Sequence, residues 1–433
     1  MKTALRLSVF FTIVLVFFAC TSKQNNISSK NENRLTTEAF APVLLKVKLN
    51  DKQMLLAEKG NLGINDPNEK KGNVNLIPVQ FEGRNKDGLC RIVLLSPYEN
   101  LIDGKWEFVK NDESANSMTA TLDTESGQVL VEEEGKRILQ YNYQTVYEKD
   151  VIRLENEKLE HHSRTEKDTF ITASIYAVPR SDYIHPLYGL NGEMLTRDWP
   201  DGGHPHHRAI FWAWPEVEFG SENGDIYALQ RIFARPTGNI KFVNGSVFTQ
   251  IEAENLWMWE DTVPIVRENA IIRVYRASSK ERIIDLTIKL DALKDSVSIA
   301  TRNTDSYGGL NLRMMTPENQ EISYFTDEDS EDSQRAWSDF NGIFEGNEDK
   351  SGLMVLQHKQ NPEYPGAWAE YPDLAWVQPT FPTPGTRYSL STQEPLVLRF
   401  RLIIHAGGKP DLNVSKMRWD VYHHEDSPLI TFE

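Results

Sequence analysis

The chain is written almost throughout in a two-residue period. "VLLKVKL", "VNLIPVQF", "RIVLLS", "KWEFVK", "SMTATLDT" and "QVLVEEE" follow one another, separated by clusters of Gly, Asn and Asp. Successive side chains of a strand point to opposite faces, so such runs make half-buried strands, whereas an amphipathic helix needs a period of 3.6. "RILQYNYQTVY" is a longer strand, and "NIKFVNGSVFTQIEAENLW", "AIIRVYRAS", "RIIDLTIKLDAL", "SVSIATRN" and "LVLRFRLIIHAGG" continue the pattern. Asn244-Gly245, between two runs, predicts a tight hairpin turn. Helical periodicity is scarce. "ENEKLEHHSRTEKD", which carries His161 and His162, has no apolar face and reads as exposed loop. The expected fold is all-β, a sandwich or barrel. A composition change near residue 175 divides it into a smaller N-terminal β region at 41–174 and a larger one at 175–433.

The first twenty residues read as a sorting signal rather than as fold. "MKTALRLSVFFTIVLVFFAC" has a basic start and a short apolar run, too short and wrongly flanked for a spanning helix. It ends at Cys20 like a bacterial lipobox, so residues 1–19 are the expected signal peptide and Cys20 the expected lipidation site. Residues 20–40 have the composition of a flexible tether. Thr21 follows the cysteine, with no acidic cluster nearby, which points to an outer-membrane lipoprotein facing the periplasm. Cys90 is the second of two cysteines, so no intramolecular disulfide forms once Cys20 is lipidated. The net charge of −16 is spread along the chain and excludes the basic footprint of a nucleic-acid binder.

Three of the ten histidines fall within four residues, in "HPHHRAIFWAW", His204 to Trp214. Pro205 puts His204 in an entry loop. A strand from His206 onward would place His206, Arg208, Ile210, Trp212 and Trp214 on one face, and His207, Ala209, Phe211 and Ala213 on the other. Three readings are open. Imidazoles can serve as general acid or base, with Arg208 holding a carboxylate or oxyanion. His204 and His206 can chelate a divalent metal with a third ligand such as His185, Glu193 or His405. The third reading is a loop brace. Just upstream, "DYIHPLYGLNGEMLTRDWPDGG" carries His185, Tyr188, Asn191, Glu193, Arg197, Asp198 and Asp201, with "IHPLYG" and "GLNGEM" reading as loop and turn.

"YIHPLYGLNGEMLTRDWPDGGHPHHRAIFWAW", "GGLNLRM", "RAWSDFNG" and "LRFRLIIHAGG" resemble a bacterial family often labelled "methane oxygenase PmoA". The label conflicts with a mature chain that has no apolar run of spanning length. The resemblance implies a galactose-mutarotase-like β-supersandwich over residues 175–433, and a place in polysaccharide degradation. It also implies dehydration of anionic oligosaccharides such as ulvan fragments, a carbon–oxygen lyase activity. Elimination needs a base for a C–H proton, an acid for the departing oxygen and a cation beside the developing charge. On that reading His206 or His207, with Tyr188 as acid, moves the protons. Arg208, Arg197 and Arg313 hold the anion, and His185, Glu193, His204 and Trp368 join the substrate site.

The stacking candidates are Trp199, Trp212, Trp257, Trp259, Trp337, Trp368 and Trp376. "HKQNPEYPGAWAEYPDLAWVQPTFPTPGTRY" lacks alternation and is expected to be a long loop over the site, bringing His358, Asn361 and Trp368 to the ligand. His405 ends a strand, and His423 and His424 are expected at the surface. No cofactor is expected, with a divalent metal as the alternative; the expected partners are an oligosaccharide and, through the lipid, a membrane. Two other functions compete: a glycosidase with paired carboxylates such as Glu193 and Asp339, and a non-catalytic glycan-binding lipoprotein.

Overall fold

The structure is a computed structural model that describes residues 40–65, 76–97, 107–112, 117–147, 151–154, 163–164, 170–173, 178–198, 206–325 and 336–424. Cys20, the tether, His161, His162, Trp199, Asp201 and His204 lie outside the described residues. Among the described residues, no helix is long and apolar enough to cross a membrane.

Alternation does produce an all-β sandwich. One eight-stranded antiparallel sheet runs in the order Trp368–Tyr371, Trp376–Pro379, Gly309–Arg313, Ile210–Ala213, Tyr183–Leu187, Lys136–Asn142, Gln128–Glu133, Met118–Asp123; we call it the site sheet. The second, or back sheet, runs Ile232–Val243, Phe248–Trp259, Val263–Tyr275, Glu281–Ala292, Leu396–Ala406, Ser351–Gln357, Trp337–Ile343, Glu318–Phe325. Their facing sides share one hydrophobic core, which includes Ile184, Ile210, Leu312 and Val377 from the first and Ile251, Ile272, Leu286 and Leu402 from the second.

A smaller five-stranded sheet, built from strands between Phe40 and Lys110, has its own apolar core around Val43, Ile64, Val79 and Ile92. The boundary expected at 174/175 does not separate sheets. The hairpins of residues 118–142 complete the site sheet, because Tyr183 and Ile184 pair with Asn142 and Tyr141.

The core carries one polar island. Glu268, on the back sheet, accepts the indole N–H of Trp212 from the site sheet and that of Trp257, both at 2.7 Å. It also hydrogen-bonds Asp182, which accepts the Tyr141 hydroxyl at 2.7 Å. Burial, with Asp182 beside it, raises the Glu268 carboxyl well above the usual range. Burial raises Asp182 as well, so the two neighbouring carboxyls share a proton, and Arg180 offsets the charge that remains.

Three readings of local structure change. Asn244-Gly245 does join two strands, but through residues 244–247, with the Asn244 side chain accepting from the Ala120 N–H at 2.7 Å. "IHPLYG" begins inside the strand Tyr183–Leu187. The expected long loop of residues 358–388 contains the hairpin Trp368–Tyr371 and Trp376–Pro379, which forms one edge of the site sheet.

Two α-helices occur among the described residues, α1 (Asp51–Glu58) and α2 (Leu412–His424). Asp411 caps α2 by accepting the Asn413 N–H at 2.8 Å. His423 is not simply at the surface: Nε2 accepts the Lys359 N–H at 2.9 Å, and Nδ1 lies 2.6 Å from the Trp419 carbonyl. Burial, helped by His358 and Lys359, outweighs that carbonyl and lowers the ring's pKa from 6.5 to about 4. A base depressed in the folded state adds stability above its unfolded pKa and loses it as pH falls through the folded one. Amide exchange in α2, corrected for its intrinsic rate, should therefore speed up between pH 6.5 and about 4. His423→Gln should flatten that dependence.

Candidate functional site

Directly opposed residues of neighbouring strands share a face. On the site sheet, Tyr183 lies opposite Phe211, Phe211 opposite Asn311, and Arg313 opposite Trp376. The bridge of Gly309 to Thr380 keeps the same register and sets Asn311 opposite Gln378. This is the face turned away from the back sheet, since Trp212, one residue from Phe211, points into the core. Gly309 has φ of +121°, and a Cβ there would stand 3.0 Å from the Pro379 carbonyl oxygen, so glycine permits the close approach of that strand.

His206 and His207 come together over this face, contrary to the expected alternation. The strand begins only at Ile210, and Ala209 has φ of +49°. That left-handed residue breaks the two-residue period, so side chains before it no longer alternate with those after it. The two imidazoles meet edge to face with centroids 4.8 Å apart, and each packs on Tyr227, at 5.7 and 5.5 Å. Both are buried.

The tautomer of His207 follows from its neighbours. The Asn311 amide N–H donates to the Gly309 carbonyl at 3.0 Å, which leaves Asn311 Oδ1 as acceptor for the Tyr227 hydroxyl at 2.7 Å. That hydroxyl proton is committed, so His207 Nε2, 3.3 Å from Tyr227 Oη, must be the donor. A neutral His207 then keeps its lone pair on Nδ1. Burial raises the Tyr227 phenol well above its ordinary range, so it stays protonated. Arg180 holds Tyr227 in place, donating to the carbonyls of Tyr227 and Ile226 at 2.7 and 3.1 Å while its guanidinium lies 4.5 Å over the Phe211 ring.

Arg208 is 1% exposed and pairs with Asp198 at 3.4 Å. The other Asp198 oxygen accepts the Tyr183 hydroxyl at 3.0 Å. His185 lies beside this pair: Nδ1 is 3.1 Å from the Thr196 hydroxyl, and burial, then Arg208, lowers its pKa against the opposing pull of Asp198. Arg197 joins the group through its backbone, its N–H donating to the Arg313 carbonyl at 3.0 Å. The structure thus brings together His185, Arg197, His206, His207, Arg208 and Arg313.

Other expected members lie elsewhere. Tyr188 follows the end of its strand, with its N–H on the Ile138 carbonyl, and no side-chain hydrogen bond or ring contact joins it to either histidine. The tyrosines at the site are instead Tyr227, packed on both histidines, and Tyr183, bonded to Asp198. Glu193 braces a turn: its Oε2 accepts the Asn191 N–H at 3.0 Å, and its carboxylate lies against Gly189. Trp368 sits opposite Pro379, out of phase with Trp376, and packs on Tyr324 of the back sheet at 5.6 Å. Trp212, Trp257 and Trp259 are core, and Trp337 packs on Trp419 of α2. Of the stacking candidates, Trp376 alone among the described residues reaches the site, 5.4 Å from His207 and stacked on Tyr371 at 4.7 Å.

His405 and Asp339 form a 2.7 Å pair on the outer side of the back sheet, away from the site. Neither His405 as a metal ligand nor Asp339 as the partner of Glu193 is brought to the histidines. His358 packs on Tyr422, and Asn361 bonds the backbone of Arg399. Among the described residues, no group of three or more His, Cys, Asp or Glu is placed to hold a metal ion.

Fold and site together define a β-sandwich protein whose outer sheet face gathers histidines, tyrosines and arginines around buried aromatic rings. The chain belongs to DUF6807, a family of unknown function whose model matches residues 128–418. No curated protein matches it. Among solved structures it is similar to a galactose 1-epimerase from Lactobacillus acidophilus NCFM, with 10% identity over 77% of this chain and 99% of that one. The TM-score is 0.20, too low to carry weight for fold or chemistry. Neither likeness bears the methane-oxygenase label or names a polysaccharide.

Proposed function

We propose that this protein is a carbohydrate-active enzyme of polysaccharide breakdown that removes water from anionic oligosaccharides, ulvan fragments among them. The observation that carries the reading is the Asn311–Tyr227–His207 chain, which fixes a histidine lone pair over a face rich in arginine. His207 Nδ1 takes the proton from the carbon beside the sugar carboxylate. The carbon–carbon double bond forms as the β-hydroxyl departs, and His206 supplies the proton that releases it as water. Arginine stabilises the negative charge that develops on the carboxylate. We propose further that the protein works as an outer-membrane lipoprotein facing the periplasm, anchored through Cys20.

Mass spectrometry of uronate-containing oligosaccharides incubated with purified protein tests the reaction. The expected product is lighter by one water and has a new ultraviolet-absorbing double bond. A broad panel left unchanged would sink the reading, and saturable binding without change would favour a glycan-binding lipoprotein. The placement of the tryptophans gives a second check. Trp376→Ala should weaken oligosaccharide binding about 10-fold or more, in line with the loss of a buried aromatic contact. Trp368→Ala should change it by less than about two-fold, since its ring packs on Tyr324 rather than on the histidine face. Titration calorimetry of both variants distinguishes them.

A further inference from the structure

Four polar groups on adjoining positions of the site sheet are buried with no hydrogen-bond partner among the described residues. They are Arg313 Nε, Trp376 Nε1 and both side-chain atoms of Gln378. Arg313 and Trp376 are directly opposed, and Gln378 follows Trp376 by two residues on the same face. Each residue is at least nine-tenths buried. A buried donor or acceptor left unmade is costly, so such a cluster points to a bound group that completes it.

Charge gives a second, independent indication. Arg313 donates one arm to the Leu374 carbonyl, which fixes its plane. The charge acting on it is Arg197, since the neighbouring Tyr227 phenol stays protonated, with no carboxylate among the described residues. Burial, then Arg197, lowers its pKa to about 10, so it remains a cation at neutral pH. Arg313 is thus a buried cation that no described carboxylate offsets, which favours an anionic ligand. Arg208 differs, because Asp198 already engages it. Tyr371, stacked on Trp376 and 41% exposed, marks the side open to solvent.

We infer that Arg313, Trp376 and Gln378 form a subsite for the carboxylate end of a sugar acid. The inference rests on the reading above and gives that site its substrate class. Arg313 Nε–H and Trp376 Nε1–H donate to the carboxylate, with Arg197 adding charge. The Gln378 amide, both donor and acceptor, reads a ring hydroxyl. Tyr371 and Trp376 shape the apolar wall.

Titration calorimetry with glucuronate, glucose and glucose 6-sulfate tests the subsite without needing turnover. Glucuronate should bind saturably and at least about 10-fold more tightly than glucose, the scale of one charge-assisted hydrogen bond. Arg313→Gln should lose about 10- to 100-fold of glucuronate affinity. Trp376→Phe keeps a ring and deletes only the N–H, so it should lose several-fold while staying folded by circular dichroism. Equal binding of glucuronate and glucose, tighter binding of the sulfate ester, or unchanged affinity in both variants would overturn the assignment. Discrimination by Arg313 without any water loss from oligosaccharides would uphold the subsite and refute elimination; water loss indifferent to Arg313→Gln would do the reverse.

Discussion

His207→Gln should lower turnover of an anionic oligosaccharide by about 10²- to 10⁴-fold, the usual contribution of a positioned general base, while changing substrate affinity far less. The expectation follows from the hydrogen bonds around the ring. Asn311 is oriented by the Gly309 carbonyl, Tyr227 by Asn311, and His207 by Tyr227. Tyr227→Phe removes the oxygen that receives the Nε2 proton, but leaves the ring contacts among His206, His207 and Tyr227. It should reduce kcat more than it raises KM, because the base remains and its tautomer is no longer fixed. Steady-state kinetics of both variants would show this, and full activity in His207→Gln would remove His207 from the chemistry.

Glu268→Ala should be strongly destabilising, costing about 3–5 kcal/mol. Two buried indole N–H groups would lose their acceptor, and the buried Asp182 carboxyl would lose its hydrogen-bond partner. Glu268→Gln should cost less. Its amide can still donate to Asp182 and accept from one indole, and only the second indole is left without a partner. Denaturant unfolding of the two variants gives the comparison directly. If the alanine variant unfolds at the wild-type midpoint, the bridge between the two sheets contributes nothing. The same network reaches the site, because Arg180, whose charge Asp182 balances, holds the backbone of Tyr227.

Much of this architecture could be read from alternation alone. The strands between Ile232 and Ala292 repeat polar and apolar residues so regularly that they fix both the sandwich and its inner face. The site was legible as a place rather than as a geometry. "HPHHR" drew attention to His206, His207 and Arg208, but the faces assigned to them failed at Ala209, whose positive φ has no signature in an alanine. Tyr227 lies in a turn without motif, and only the fold carries it to the histidines. Trp368 and Trp376 looked equivalent in a Pro-rich stretch, and the hairpin's two-residue phase separates them. Asp411 before a short amphipathic stretch was a cap signal for α2 that the prevailing strand pattern obscured.

The most direct measurement compares wild type and His207→Gln on one uronate-containing oligosaccharide, followed by ultraviolet absorbance and mass spectrometry. Wild type should form a double bond and release one water per event, and the variant should remain bound to unreacted substrate. Equal product from both proteins, or none from the wild type, would contradict the assignment of this sheet face as a site of proton abstraction.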